Sequence, residues 1–349
     1  MKYVKKRLIL PVALSLVAFL VFSAFSFAQT PAPANYNVTV SPVFFNLTAN
    51  PGDAVSTKIR IRNNTTSPLP IKISVKKMSG DLNGALTLTD DNSDGSLSWI
   101  EFSSEKIIAT PLEWVDVPFT IKVSKDAAYG YYFAITFTQD QTSTLKTTGA
   151  AINGAAAVPI LLIVNKAGAK AEAKITDFSV AKSITEYLPV DFSVKVVSQG
   201  NVHVQPHGNI FITDGKNDLA TLDINPNLGS VIPNAQKIFN ASWTDGFIVN
   251  EQVMEYGQPK LDKNGNPETQ LTINWDKLTS FRIGKYTANL VLVYDNGTKD
   301  VPMETSLTFW VFPYKVVIFL IVVLFIAFFA IRFSLKAYVN REIHKKLQK

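Results

Sequence analysis

From residue 36 onward, apolar and polar positions alternate with the two-residue period of a strand that has one dry and one wet face. The segments YNVTVSP, AVSTKIRIRNN, PIKISVKKM, WVDVPFTIKVS, YYFAITFTQ and AVPILLIV are rich in Val, Ile, Thr and aromatic residues, and clusters of Gly, Pro, Asn and Asp separate them. In the second of these, Ile59 and Ile61 alternate with Lys58, Arg60 and Arg62, the pattern of an antiparallel sheet wet on one side. Their number and spacing predict an immunoglobulin-like sandwich over residues 36–166. After the link NKAGAKAEAK the alternation resumes in LPVDFSVKVVS, GNIFITD, LATLDIN, QKIFNASW, KYTANLVLVYD and ETSLTFWVF, with turn signals at Asp214-Gly215 and Asn296-Gly297. Residues 172–312 are therefore predicted to form a second sandwich. The stretch 244–270, TDGFIVNEQVMEYGQPKLDKNGNPETQ, interrupts it and is too polar and too rich in Gly and Asn to be core. A functional loop and a disordered one are both open readings.

Two apolar runs break the alternation. Leu8 to Phe27 follows Lys2, Lys5, Lys6 and Arg7, and Ser26 and Ala28 make a small-x-small site before Gln29. This predicts a signal peptide over 1–28, then the Pro/Ala spacer QTPAPAN at 29–35. An uncleaved anchor is the other reading, because the run is long for a signal peptide. Val316 to Ile331 is uninterruptedly apolar, about 24 Å of helix at ~1.5 Å per residue, and its flanks extend it toward bilayer thickness. Trp310, Tyr314 and Lys315 suit one interface, while Arg332 and Lys336 can snorkel at the other, so a transmembrane helix is predicted over 313–335.

Charge changes the picture by giving that helix a direction. The chain carries a net +6, but the segment from Arg332 onward is +5 (six basic side chains against Glu342) and the N-terminal region adds +4, leaving −3 for residues 29–331. The positive-inside rule then predicts a single-pass type I protein in the cell membrane, with the sandwiches outside and a basic cytoplasmic tail at 336–349. In that tail Ile331, Leu335, Val339, Ile343 and Leu347 recur every four residues. A helix lying on the anionic inner leaflet or docking a partner, and a simple retention signal, are both open. The mildly acidic exported part offers no footprint for nucleic acid. The chain has no cysteine, which fits a bacterial envelope and domains stable on core burial alone.

Candidate chemistry is sparse. Asp90 to Glu101 reads D-x-N-x-D-G-x-x-x-x-x-E, the spacing of a calcium loop, with Asp90, Asn92, Asp94, the Ser96 carbonyl, Ser98 and Glu101 as oxygen donors. The flanks LTLTD and IEFSSEKII are strand-like, so a helix-loop-helix is excluded; a structural calcium loop between strands and a plain solvated turn remain. No other cofactor is implied. His203 and His207 lie four apart in an extended context and read as structural rather than as zinc ligands. No nucleophile elbow, HExxH helix, phosphate loop or cysteine nucleophile is present, and the small-residue run GAAINGAAA lacks a phosphate-binding context, so no enzyme is predicted.

The first half, with VSPVFFNLTANPGDAVSTKIRIRNNT, Trp99-Ile100, V-x-F-x-I-x-V from Val117 to Val123 and Ala128-Tyr129-Gly130-Tyr131-Tyr132, resembles the N-terminal domain of the WxL-interacting proteins of Gram-positive bacteria. GNVHVQPHGNIFITD, GKYTANLVLVY and FWVFPYK running into the helix are similar to the distal part of that architecture. The resemblance implies a peptidoglycan-binding first domain, a second domain that contacts host or partner proteins, and a single C-terminal membrane helix. The expectation is thus an all-β chain, two tandem immunoglobulin-like β-sandwich domains followed by one transmembrane α-helix. Its non-catalytic ectodomain is expected to bind cell-wall peptidoglycan or a surface protein. For a glycan ligand, Trp99, Trp114, Tyr129, Tyr131 and Tyr132 are candidate stacking platforms, with Trp99 and Tyr132 more readily read as core. A chaperone-like assembly factor that binds partners by strand addition, and a calcium-dependent adhesin, are the alternatives.

Overall fold

The structure is a computed structural model and describes residues 36–140 and 155–347. The signal peptide and spacer expected at 1–35, and the start of the GAAINGAAA run, lie outside the described residues. The first sandwich contains β1 (Val38–Ser41), β2 (Phe45–Ala49), β3 (Ala54–Asn63), β4 (Leu69–Gly80), β5 (Leu86–Thr89), β6 (Ile100–Phe102), β7 (Lys106–Ala109), β8 (Trp114–Lys122), β9 (Tyr129–Gln139) and β10 (Ala155–Val164). One sheet runs β1-β3-β8-β6; the other runs β2-β10-β9-β4-β5, with β7 also on β4. The alternating Ile59, Ile61, Val117, Phe119 and Ile121 of the first sheet face Ile71, Ile73, Phe133, Ile135 and Phe137 of the second, all buried. At the β3–β4 corner the fully buried Asn63 spends its whole side chain: its amide donates to the Ser67 and Ala109 carbonyls at 2.8 and 3.0 Å, and its oxygen accepts from Thr65 N and Oγ1.

The second sandwich contains β11 (Ala173–Val180), β12 (Ile184–Thr185), β13 (Val190–Ser198), β14 (His207–Thr213), β15 (Asp218–Ile224), β16 (Gln236–Trp243), β17 (Ile248–Gln252), β18 (Met254–Glu255), β19 (Gln258–Pro259), β20 (Thr269–Ile273), β21 (Gly284–Asp295) and β22 (Asp300–Val311). The sheets β11-β13-β16 and β12-β22-β21-β14-β15 enclose a core centred on Phe192, Trp243, Tyr286 and Phe309, whose rings meet mostly edge to face. The chain is therefore all-β, two immunoglobulin-like sandwiches in tandem. The insertion after β16 runs to residue 283 rather than 270, because TQLTI pairs back onto β17 and closes a small hairpin.

Among the described residues one α-helix, α1 (Tyr314–Leu347), begins directly after Pro313. Its Val317–Lys336 stretch is long and apolar enough to cross a membrane and is not buried against the rest of the chain. Glu186 ties its start to the second sandwich, accepting from Lys315 N at 3.2 Å and from Lys315 Nζ at 2.7 Å. A carboxylate there also meets the positive end of the helix dipole.

The sandwiches touch through a small apolar joint in which Tyr132 and Leu161 pack against Ile232 and Ala235. Gly130 N–H donates to the Asn201 carbonyl at 3.1 Å and Gln236 N–H to the Asp81 carbonyl at 2.9 Å. At Gly80 a Cβ would stand 2.5 Å from the Ala235 methyl, so only glycine admits that approach. His203 is buried here, with Nε2 3.1 Å from Asn46 Oδ1, its ring edge-on to Tyr132, and no partner for Nδ1 among the described residues. Burial pushes its imidazole down to about 4. With a folded value below the unfolded one, near 6.5, the neutral ring stabilises the joint fully above pH ~6.5, and that stability drains away as pH falls toward 4. His203→Phe is expected to remove this slope, worth up to about 1.4 kcal/mol per pH unit, from melting curves recorded between pH 7 and 4.

Candidate functional site

The first strand changes sheets. β1 pairs with β3 in one sheet; after Pro42, Val43 and Phe44, β2 pairs in parallel with β10 in the other. β2 reaches β10 only from Phe45 opposite Ile160 to Ala49 opposite Val164. Among the described residues the first half of β10, Ala155 to Pro159, consequently pairs with β9 alone, from Ala155 opposite Thr138 to Pro159 opposite Ala134. Just past the end of β10, Asn165 N–H donates to the Ala49 carbonyl at 2.8 Å, so the odd-numbered residues of this strand point their backbone toward the β2 side. Pro159, which has no N–H, falls in that series where β2 has already ended, the edge position at which a strand tolerates proline. Ala155 and Ala157 then present their backbone groups to the uncovered flank.

Among the described residues no charged side chain guards this flank. Ala155 and Ala157 are exposed, Ala156 and Pro159 half-buried, and Val158 is core. β1 packs near β10 and, among the described residues, pairs only with β3. Its residues Val38–Ser41 also carry no charge. Beneath them Tyr36 seals the sandwich, its hydroxyl donating to the Phe137 carbonyl at 2.6 Å and its pKa pushed up to about 12 by burial. Three other edges are blunted in the usual ways. β11 carries a bulge between Ile175 and Asp177, β5 is four residues long and runs into Asp90-Asp91, and β15 displays Asp218 and Asp223.

The aromatic candidates divide. Trp99 and Tyr131 meet at a tilted 54°, centroids 4.5 Å apart, and both pack against the first core. Tyr132 belongs to the joint, where burial raises its pKa. Tyr129 is half-buried at the start of β9 with a left-handed φ of 70°, its hydroxyl beside Gly168. Trp114 is exposed at 39% on the outer face of β8, with the Arg60 guanidinium 4.9 Å over its ring.

The Asp90–Glu101 segment is a turn followed by a short 3-10 helix, Ser96–Trp99, entered through left-handed Gly95 at φ 71°. Its oxygens have separate occupations. Asp90 binds Lys76 Nζ at 2.5 Å, Asp94 binds Lys77 Nζ at 2.6 Å and Ser96 Oγ at 2.7 Å, and Glu101 binds Lys122 Nζ at 2.7 Å. Asn92 Oδ1 accepts from Leu97 N at 2.8 Å, and Ser98 Oγ donates to the Gly95 carbonyl. Burial raises the Asp94 pKa, but Lys77 and Ser96 outweigh it and hold the carboxyl down at about 2. Among the described residues no three His, Asp or Glu side chains gather as a metal site. The two central histidines part as well: His203 enters the joint, while His207 is exposed on β14 with Nδ1 near the Gln205 carbonyl.

No protein-family model and no curated protein matches the chain. Among solved structures it is similar to the class 5 fimbriae chaperone CfaA (15% identity, TM-score 0.34, covering 77% of this chain and 98% of that one). It is also similar to the CupB2 chaperone of Pseudomonas aeruginosa (9%, 0.34, covering 78% and 100%) and to the E. coli chaperone DraB (7%, 0.32, covering 77% and 98%). Likeness this remote does not carry a function from them to this chain.

Proposed function

We propose that this is a non-catalytic, membrane-anchored cell-envelope protein that holds an extended segment of a partner protein by strand addition along Ala155–Pro159 of β10. The uncovered, uncharged edge beside β1 is the observation that carries this reading, because an edge of that kind pairs with any chain offering a complementary backbone. The apolar stretch of α1 supports the anchor, and the charge asymmetry favours sandwiches outside and a basic tail inside. The reading is tested with a photo-reactive phenylalanine at position 157, activated in the source cell. A discrete protein adduct is expected, and its absence from 157 with unaltered expression overturns the proposal.

Trp114 favours a second reading. An exposed indole held by Arg60 is a platform for a sugar face, and the resemblance to WxL-interacting proteins would make that ligand peptidoglycan. Sedimentation of the chain with isolated sacculi, lost in Trp114→Ala, would favour it over strand addition.

A further inference from the structure

Residues 244–283 leave the second sandwich and return to it at one end. They depart after Trp243, which pairs with Val190, and re-enter at Gly284, which pairs with Val311 two residues before Pro313. That end is where α1 begins, and Phe281, Arg282 and Ile283 line one crevice together with Pro313. The base of the insertion is firmly held. Asp245 binds both Lys277 at 2.9 Å and Arg282 at 3.1 Å, Phe247 N–H donates to the Ser280 carbonyl at 3.0 Å, and the Phe247 ring meets Trp275 and Phe281 at 5.6 and 6.0 Å. On this base large apolar side chains face solvent: Trp275 is 72% exposed, Leu278 62% and Phe281 53%, with Ile283 beside them. The patch continues into Phe312 and Tyr314 at the helix start, also exposed.

An apolar patch rimmed by aromatic rings is costly in water and suited to the lipid–water interface, where Trp and Tyr collect. Continuity with the helix selects lipid as the occupant; Lys277 and Arg282 both pair with Asp245, and with Asp276 the charges of the patch and its base sum to zero, so no net charge opposes approach to a membrane. We infer that the 275–283 patch lies in the interface beside the entry point of α1 and gives the ectodomain a second membrane contact. Helix and patch together fix the tilt of the second sandwich, and through the joint they set the direction in which the first one faces. The inference rests on reading α1 as membrane-spanning.

The chain contains no cysteine, so one introduced thiol carries one spin label. The full chain is reconstituted in vesicles of phosphatidylethanolamine and phosphatidylglycerol, with the label placed by Leu278→Cys, by Phe325→Cys in α1, or by Leu82→Cys on the first sandwich. All three positions are exposed, so none of the substitutions opens the core. Collisions with oxygen report lipid and collisions with a water-soluble nickel chelate report solvent. The expected result is an oxygen-to-nickel ratio at 278 several-fold above that at 82 and approaching that at 325. A water-like 278 with a lipid-like 325 overturns the inference and leaves the anchor standing. Shielding of 278 from both reagents means a protein covers the patch, which also overturns it. A water-like 325 removes the anchor and the inference together.

Discussion

Ala157→Pro is expected to weaken partner capture at least roughly tenfold at an unchanged melting temperature. The N–H of residue 157 faces away from β9, so proline there breaks no bond within the sheet, and Pro159 already shows that the strand accepts the ring two residues on. An incoming strand would lose one backbone hydrogen bond, about 0.5–1.5 kcal/mol net, and would meet the pyrrolidine ring at the centre of its register. At about 1.4 kcal/mol per tenfold, the combined loss is at least roughly tenfold in affinity. Ala156→Pro is the opposing control. Its N–H faces Phe137 across the β9 ladder, so this variant is expected to lower the melting temperature. Adduct formation from a photo-reactive phenylalanine moved to the exposed position 155, and thermal denaturation, read the two effects separately. If Ala157→Pro captures its partner as well as the parent chain does, the edge is not the binding site.

Trp243→Ala is expected to be the most damaging single change to the second sandwich. The ring is fully buried, packs edge-on to Tyr286 at 5.2 Å and to Phe309 at 6.1 Å, and lies under the Arg282 guanidinium at 5.7 Å. Truncation leaves a cavity and costs about 3–5 kcal/mol, which for a sandwich of this size lowers its melting temperature by on the order of 10–15 °C. Trp243→Phe is expected to cost much less, because a ring still fills most of the space and the indole N–H it removes is buried with no hydrogen-bond partner among the described residues. Calorimetry of the two variants checks the order. An alanine variant within about 1 kcal/mol of the parent would contradict the packing described above.

Much of the β architecture was legible because it is local. QKIFNASW is β16 to the residue, and the isoleucine–basic alternation of β3 places Ile59 and Ile61 inside with Lys58 and Arg60 outside. The candidate site was not legible in the same way. FNLTA alternates apolar and polar residues as a strand does, but its parallel partner lies more than a hundred positions away, so neither that pairing nor the gap it leaves on β10 shows in a local period. The one signal was Pro159 inside an otherwise strong strand. The calcium-loop pattern illustrates the converse: its spacing is correct, yet Lys76, Lys77 and Lys122, which take up its three carboxylates, come from β4 and β8. The insertion reads as loop by composition, and its order comes from contacts made at its base, such as Asn250 N–H to the Leu188 carbonyl at 2.6 Å.

The central claim is that Ala155 and Ala157 offer free backbone groups which a partner then occupies. Hydrogen exchange resolved to single amides, on the full chain before and after addition of the protein captured at 157, tests it most directly. The account predicts fast exchange at Ala155 and Ala157 beside protected amides at Ala156 and Val158 in the free chain, with all four protected in the complex. Protection of Ala157 in the free chain, or no change there on binding, would contradict it.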